Sequence, residues 1–409
     1  MLDIDQIIKA LIARNRQRLP PITLLAVCPN SAAVLEAAVR AAARNNTAML
    51  FAATLNQVDY EDSYTGWTQA GFVRQLQGYA NQYHWTGSLF PCLDHGGPWL
   101  KDLHTLQKLS YPETMQKVKN SITACIEAGY RLLHIDPTVD RSYPSGETLP
   151  LELVVERTVE LIKHAEHIRE ATSAAKLTYE VGTEEVHGGL VDLERFEGYI
   201  ILLQAELIKH NLNHCWPSLF VAQIGTDLHT TVFKPEVAKR LYSILAPLGS
   251  LAKGHYTDWV ENPEDYPACG MGAANVGPEF TAEEYIALRE LEDEEQASNS
   301  KDQVSQSKFM ATLQKVVVES GRWKKWILPG EEGAPFDELS AARKDWLLKT
   351  GSRYIWTNDE VVAARNCLYL NLRDRMVDPH SYVVEKITRA IEKYIKAFNL
   401  HNSITTLGE

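Results

Sequence analysis

Asp94-His95-Gly96-Gly97-Pro98 sets a carboxylate beside an imidazole and follows them with glycines that let a ligand approach the backbone closely. Ligand-type side chains recur downstream in short polar runs, each directly after an apolar stretch: His134-Ile135-Asp136, Tyr179 to Glu185, Gln223 to His229, and Lys253 to Asp258. Imidazoles and carboxylates together suit a divalent metal ion, zinc first, with manganese, cobalt or nickel as alternatives. The expected ligands are His95, Glu184 and His255, completed by Asp227 or His229. Three such ligands plus open positions make a catalytic metal site. An ion held there polarises a sugar carbonyl, so that a neighbouring proton or carbon–carbon bond can be lost to an enediolate. Asp94 or Asp136 would shuttle protons, and Glu184 could serve as general base with Glu180 behind it. Each run taken alone also fits an ordinary structural role: an aspartate capping a turn, a buried histidine, a solvated acidic loop. Their recurrence is what points to chemistry.

Side chains this far apart in sequence meet only if the fold gathers them, and the intervening pattern predicts how. From residue 20 to about 293, short β-branched runs alternate with longer stretches of helical period, as in repeated βα units around a parallel sheet. Strands are expected at Ile22 to Cys28, Ala48 to Ala53, Leu89 to Leu93, Leu132 to Asp136, Leu177 to Val181, Leu219 to Ile224, Leu248 to Ala252 and Ala273 to Val276. Met115, Val118, Ile122 and Ile126 recur at spacings of three and four, marking one crossover helix, and Pro235 with Glu236 opens another. Eight units favour a (β/α)8 TIM barrel over an open doubly wound sheet, and the polar runs then fall at the strand ends, where barrel active sites form. Alternation places His134 and Asp136 on one face of their strand. The corner Asn275-Val276-Gly277-Pro278-Glu279 is a candidate phosphate site assisted by Lys253, although Glu279 and Glu283 are poor neighbours for an anion.

The barrel is expected over residues 1–293, an acidic, aperiodic linker over 294–306, and a helical C-terminal domain over 307–409. That last part carries Trp323, Trp326, Trp346 and Trp356 and an amphipathic helix around Val383 to Phe398. The tryptophans suit packing within the chain or an oligomer contact. The 409 residues are 45% hydrophobic and 23% charged, enough for a large core without staples. A formal charge of -12 argues against nucleic acid or a membrane surface as the main partner. Six dispersed cysteines without a CxxC pair, and an N-terminus that reads as a short helix rather than a signal, lead to the expectation of a cytoplasmic protein.

In order and spacing these motifs resemble the GatZ/KbaZ family, the accessory subunits of class II tagatose-bisphosphate aldolases. The likeness runs nearly the full length: Asn56-Gln57-Val58 with Tyr64-Thr65-Gly66, Asp94-His95 with Gly97-Pro98, His134-Ile135-Asp136, Gly182-Thr183-Glu184, His255 with Thr257-Asp258, Val276-Gly277-Pro278, Trp323-Lys324-Lys325 and Arg353-Tyr354-Ile355-Trp356. It implies a barrel fold and an Asp94-His95 pair like that of class II aldolases, one supplying a proton-transfer carboxylate and the other a metal-binding imidazole. It adds Asn56, Gln57, Asp258 and Asn275, beside Lys253, as candidate substrate contacts. Two functions follow from the resemblance. One is metal-dependent epimerisation of a ketohexose or its phosphate, of the fructose or tagatose type, at C3 or C4. The other is a non-catalytic subunit that stabilises an aldolase. The sequence departs from the family at Gly96, where leucine is usual, and at Gly225 to His229, where Gly-Val-Glu-Phe is usual. No GxxxxGK[ST] loop supports a kinase.

Overall fold

The structure, a computed structural model, describes residues 3–144, 147–183, 189–297 and 306–408. Eight parallel strands close into one barrel in chain order: β1 (Leu24–Val27), β2 (Met49–Thr54), β3 (Leu89–Gly96), β4 (Leu132–Ile135), β5 (Thr178–Gly182), β6 (Leu219–Val221), β7 (Leu251–Gly254) and β8 (Ala273–Val276). β1 pairs with β8 from Leu24↔Ala273 to Val27↔Val276, so no sheet edge remains. This is the expected (β/α)8 TIM barrel. Its strands are buried on both faces, since helices cover the outside and side chains fill the interior.

The longer helices are α1 (Ile4–Arg16), α2 (Ala32–Asn45), α3 (Gln69–Gln82), α4 (Tyr111–Ala128), α5 (Leu151–Ala171), α6 (Leu193–Lys209), α7 (Pro235–Leu245), α8 (Pro278–Ala297), α9 (Phe309–Ser320), α10 (Ala341–Gly351), α11 (Asp359–Leu372) and α12 (Pro379–Ala397). Their ends follow local chemistry. α4 starts on a Ser110–Glu113 capping box with Pro112 in its first turn and stops at Gly129, whose φ of 95° ordinary side chains avoid. Among the described residues no helix is long and apolar enough to cross a membrane.

Three strands depart from the expected limits by three residues at one end. β7 begins at Leu251 rather than Leu248, because residues 246–248 form a 3-10 turn closed by Gly249 at φ 82°. β6 ends at Val221, and beyond it Ile224 bridges to Leu190 instead of to a barrel strand. β3 runs on to Gly96, carrying Asp94 and His95 inside the strand.

The segment after the barrel folds back over it. α12 packs between α2 and α8, and Arg40 and Arg44 of α2 both reach Glu385 at 2.8 Å. Tyr394 donates its hydroxyl to the Thr257 carbonyl at 3.0 Å, and Thr23 donates its amide to the Phe398 carbonyl. Side chains of both parts belong to one continuous apolar core. Of the expected 294–306 linker, residues 294–297 belong to α8 and 298–305 lie outside the described residues.

His380 at the start of α12 lies 2.8 Å from Glu36 of α2. That hydrogen bond lifts the imidazole above its ordinary 6.5. A raised histidine pKa contributes stability that is full below the unfolded value and fades as pH climbs through the folded one. The stability gap between the native chain and His380→Gln should therefore narrow between pH 6 and pH 9. Urea unfolding at the two pH values should show a gap of at most about 1 kcal/mol, given the exposure of this pair.

Candidate functional site

The carboxyl ends of the strands bring together the most polar buried residues of the chain. Asp94 and His95 come from β3, His134 from β4 with Asp136 just beyond it, Glu180 from β5, Lys253 from β7 with His255 next to its end, and Asn275 from β8. Possible ligand atoms of Asp94, His95, His134 and His255 all lie within 4.8 Å of one another.

Backbone distortion aims these groups. The β3–β4 register shifts between Leu93 and Gly96, and His95 sits inside the shift at φ 50°, a left-handed conformation costly for a non-glycine residue. Gly97 is required next to it: a Cβ there would stand 1.7 Å from the Asp136 carbonyl oxygen.

Hydrogen-bond partners fix the tautomers. His95 Nδ1 is 2.5 Å from an Asp136 oxygen, so it carries a proton and turns Nε2 towards the cluster. His255 Nε2 is 3.2 Å from Glu180, which leaves its Nδ1 as an acceptor. His95 Nε2 and His255 Nδ1 face each other at 3.0 Å, joined by the second proton of the His95 imidazolium, which a metal ion would replace. Two converging ring nitrogens, each backed by a carboxylate on the far ring nitrogen, form the arrangement that metal-binding histidines adopt. His134 accepts the His95 amide at Nδ1, and its Nε2 is buried with no hydrogen-bond partner.

The charge balance points the same way. Asp94, Asp136 and Glu180 face one buried ammonium, Lys253, which pairs with Glu180 at 2.7 Å. The carboxylates outnumber the ammonium, and without a metal ion a proton on His95 makes up part of the difference. Burial drives the His95 imidazole towards neutrality, but Asp94 and Asp136 outweigh it and lift its pKa to about 9. His255, with burial dominant, falls to about 4. Burial would raise the Glu180 carboxyl, yet Lys253 and the neighbouring histidines hold it down at about 2. The pocket thus attracts positive charge to a point between imidazoles. The donor set fits a divalent cation held by His95, His255 and Asp94, with the His134 ring packed beside them.

This cluster opens into a cavity of about 320 Å³, within the range of small-molecule sites. Asp94, His95, Asp136, His255, Asn56, Gln57, Asp258 and Asn275 all line it. The amide of Asn56 is spent on Leu100 and Asp102, and that of Gln57 on Asn30 and Thr54. Asn275 donates to Asp94 at 3.1 Å and keeps an unpartnered carbonyl oxygen. Asp258 accepts from the Gly277 and Glu279 amides at the start of α8, and burial pushes its carboxyl up to about 7.

Other expected residues fall elsewhere. Asp227 does not join the cluster: its carboxylate accepts from the His229 and Thr230 amides in a turn. His229 stacks on Trp346 at 4.8 Å. Lys253 lies beneath the histidines and is bound to Glu180 instead of lining the cavity. Glu184 lies outside the described residues. The sequence reading gave no ligand role to His134, whose position on the same strand face as Asp136 was the available signal. It also gave no role to Arg322, Lys325, Trp326, Arg353 and Tyr354, which reach the cavity from the C-terminal segment.

The chain is thus a (β/α)8 barrel protein with a histidine and carboxylate cluster at the carboxyl end of its strands. Its fold matches that of the fructose-bisphosphate aldolase (Fba) of Campylobacter jejuni, with a TM-score of 0.57, 11% identity, 98% of this chain and 95% of that one covered. It also matches a probable tagatose 6 phosphate kinase from Sinorhizobium meliloti 1021, with a TM-score of 0.76, 21% identity, 92% of this chain and 100% of that one covered. Residues 8–399 match the model of the family described as D-tagatose-1,6-bisphosphate aldolase subunit GatZ/KbaZ-like, and the chain belongs to that family.

Breaking the buried Lys253–Glu180 pair leaves an uncompensated carboxylate inside the barrel. Lys253→Met should lower the unfolding free energy by about 3–5 kcal/mol, and adding Glu180→Gln should recover part of the loss. Denaturant unfolding of the single and double variants measures both.

Proposed function

We propose that the chain is a metal-dependent enzyme acting on a ketohexose or ketohexose phosphate, and that it epimerises the sugar at C3 or C4. The observation that carries this reading is the convergence of His95 Nε2 and His255 Nδ1 at 3.0 Å, among three buried carboxylates at the floor of a sugar-sized cavity. His95, His255 and Asp94 would hold the ion, zinc being the best match to the donor set. A divalent ion there supplies Lewis acidity towards a sugar carbonyl.

The chain's own groups do the rest. For inversion at C3, Asp136 takes the proton from the carbon beside the carbonyl, leaving an enediolate, and a proton returns on the opposite face. For inversion at C4, the same carboxylate takes the C4 hydroxyl proton. The C3–C4 bond then breaks to an aldehyde and an enediolate, and it re-forms on the other face of the aldehyde. Asp136 is held as a carboxylate: burial opposes its charge, and the hydrogen bond and charge of His95 outweigh that. The unpartnered Asn275 oxygen and Asn30 amide nitrogen offer an acceptor and a donor to sugar hydroxyls.

A second reading, support of an aldolase subunit, draws on the family description and on Ile201 and Ile208. These lie seven residues apart along α6 and are 66% and 59% exposed.

Protein purified without chelator should contain close to one divalent ion per chain and should interconvert fructose-type and tagatose-type ketoses or their 6-phosphates. His95→Ala and His255→Ala should each lose the ion and reduce turnover roughly 100-fold or more. Metal content and turnover unaffected by both substitutions would sink the catalytic reading. Native protein that carries no ion and turns over nothing, but binds an aldolase subunit through Ile201 and Ile208, would establish the second.

A further inference from the structure

Arg353, in the 3-10 turn at residues 352–354, is 5% exposed and lines the cavity mouth. A buried guanidinium normally sits against a carboxylate, because an unpaired charge costs several kcal/mol on leaving water. Among the described residues Arg353 has no such partner. It donates to the Tyr354 hydroxyl at 3.0 Å and lies over the rings of Trp326 and Tyr354, while its Nη1 is buried with no hydrogen-bond partner. Asp258, the carboxylate that feels its charge, is already engaged by two backbone amides.

The surroundings add to the positive field. Arg322 lies over the Tyr354 ring at 4.2 Å, and Arg322 and Lys325 share the single carboxylate of Asp102. Three cations thus face one carboxylate. Burial opposes ionisation of the Tyr354 phenol, yet Arg353, Lys325 and Arg322 hold its pKa below the ordinary value. A second unmet donor lines the same cavity: Asn30 accepts the Tyr64 hydroxyl at 2.7 Å, and its amide nitrogen is buried without a partner. Tyr64 in turn meets the Tyr354 ring edge-on at 5.2 Å.

We infer that the cavity mouth is an anion subsite, centred on Arg353 and supplied by the C-terminal segment, and that the substrate carries a phosphate or carboxylate group which this arginine receives. The inference deepens the ketose reading and rests on it for the sugar, whereas anion binding itself can be read without turnover. A guanidinium fork matches either oxyanion in a bidentate manner. The bound anion supplies the counter-charge that the folded chain leaves out.

Titration calorimetry on the full chain as purified, with fructose, fructose 6-phosphate, glucuronate and inorganic phosphate, tests this. Fructose 6-phosphate or glucuronate should bind at least roughly 30-fold tighter than fructose, and Arg353→Met should abolish that difference. Whichever anion gains more identifies the phosphate or the carboxylate as the source. Because the arginine has no counter-ion among the described residues, Arg353→Met should melt at or above the native temperature without ligand, whereas a structural arginine would lower it. Equal binding of fructose and both anionic sugars by the native chain, or unchanged anion binding by Arg353→Met, overturns the subsite. Arginine-dependent binding of inorganic phosphate without ketose turnover would keep the subsite and reject the epimerase. Turnover of free ketose with no anion preference would do the reverse.

Discussion

The organising constraint of this molecule is a surplus of buried negative charge at the carboxyl end of the barrel. Asp94, Asp136 and Glu180 are each at most 3% exposed, and the only fixed cation among them is Lys253, bound to Glu180. Carboxylates in such a setting must be neutralised, paired or bound to a cation. The Lys253–Glu180 pair settles one of the three and, through Glu180, turns the His255 ring so that Nδ1 is free. Asp136 does the same for His95. The second pair of charges is thereby converted into a directed demand for positive charge between two imidazoles.

Meeting that demand dictates unusual backbone. An ordinary β3 would pair in register to its end. Here the shift between Leu93 and Gly96, with His95 left-handed, presents His95 to His255 instead of to the neighbouring strand. Strain of this kind persists only where the surroundings over-determine it. The surroundings do so here through Gly97, which has no room for a side chain, and through the His95 amide, which donates to His134. The helical layer contributes at a distance: Tyr394 of α12 ties down the Thr257 carbonyl, two residues beyond His255.

Much of this was legible in the sequence, for physical reasons that differ by element. Parallel strands buried on both faces appear as short continuous apolar runs, so the eight strands and their order could be read directly, and the larger errors in their limits arose where a turn intervened, as at Gly249, or where a strand ran on past its apolar residues, as β3 does. His95, His255, Asp94 and Asp136 were legible because strand ends in a barrel converge. His134 and Glu180 were harder, since alternation tells which face a side chain takes but not what else fills the interior. Asp227 and His229 misled because a metal-ligand residue type in a loop after a strand is indistinguishable, by sequence, from a turn cap. Arg322 and Arg353 were out of reach altogether. They stand more than 40 residues beyond the last barrel strand, and only tertiary folding brings them to the mouth.

The two ends of the cavity therefore differ in sign. The floor, built by barrel strands, is negative and rich in imidazole, and the rim, built by the C-terminal segment, is positive and rich in tyrosine and tryptophan. A neutral polyol gains little from such a gradient, because its hydroxyls are satisfied as well by water. A molecule with a carbonyl at one end and an oxyanion at the other is oriented by it. Orientation matters more than affinity for inversion at carbon, since the proton must leave and return at a single position. The C-terminal segment is thus part of the cavity wall: it supplies the positive charge that the strand ends, rich in carboxylates, do not provide.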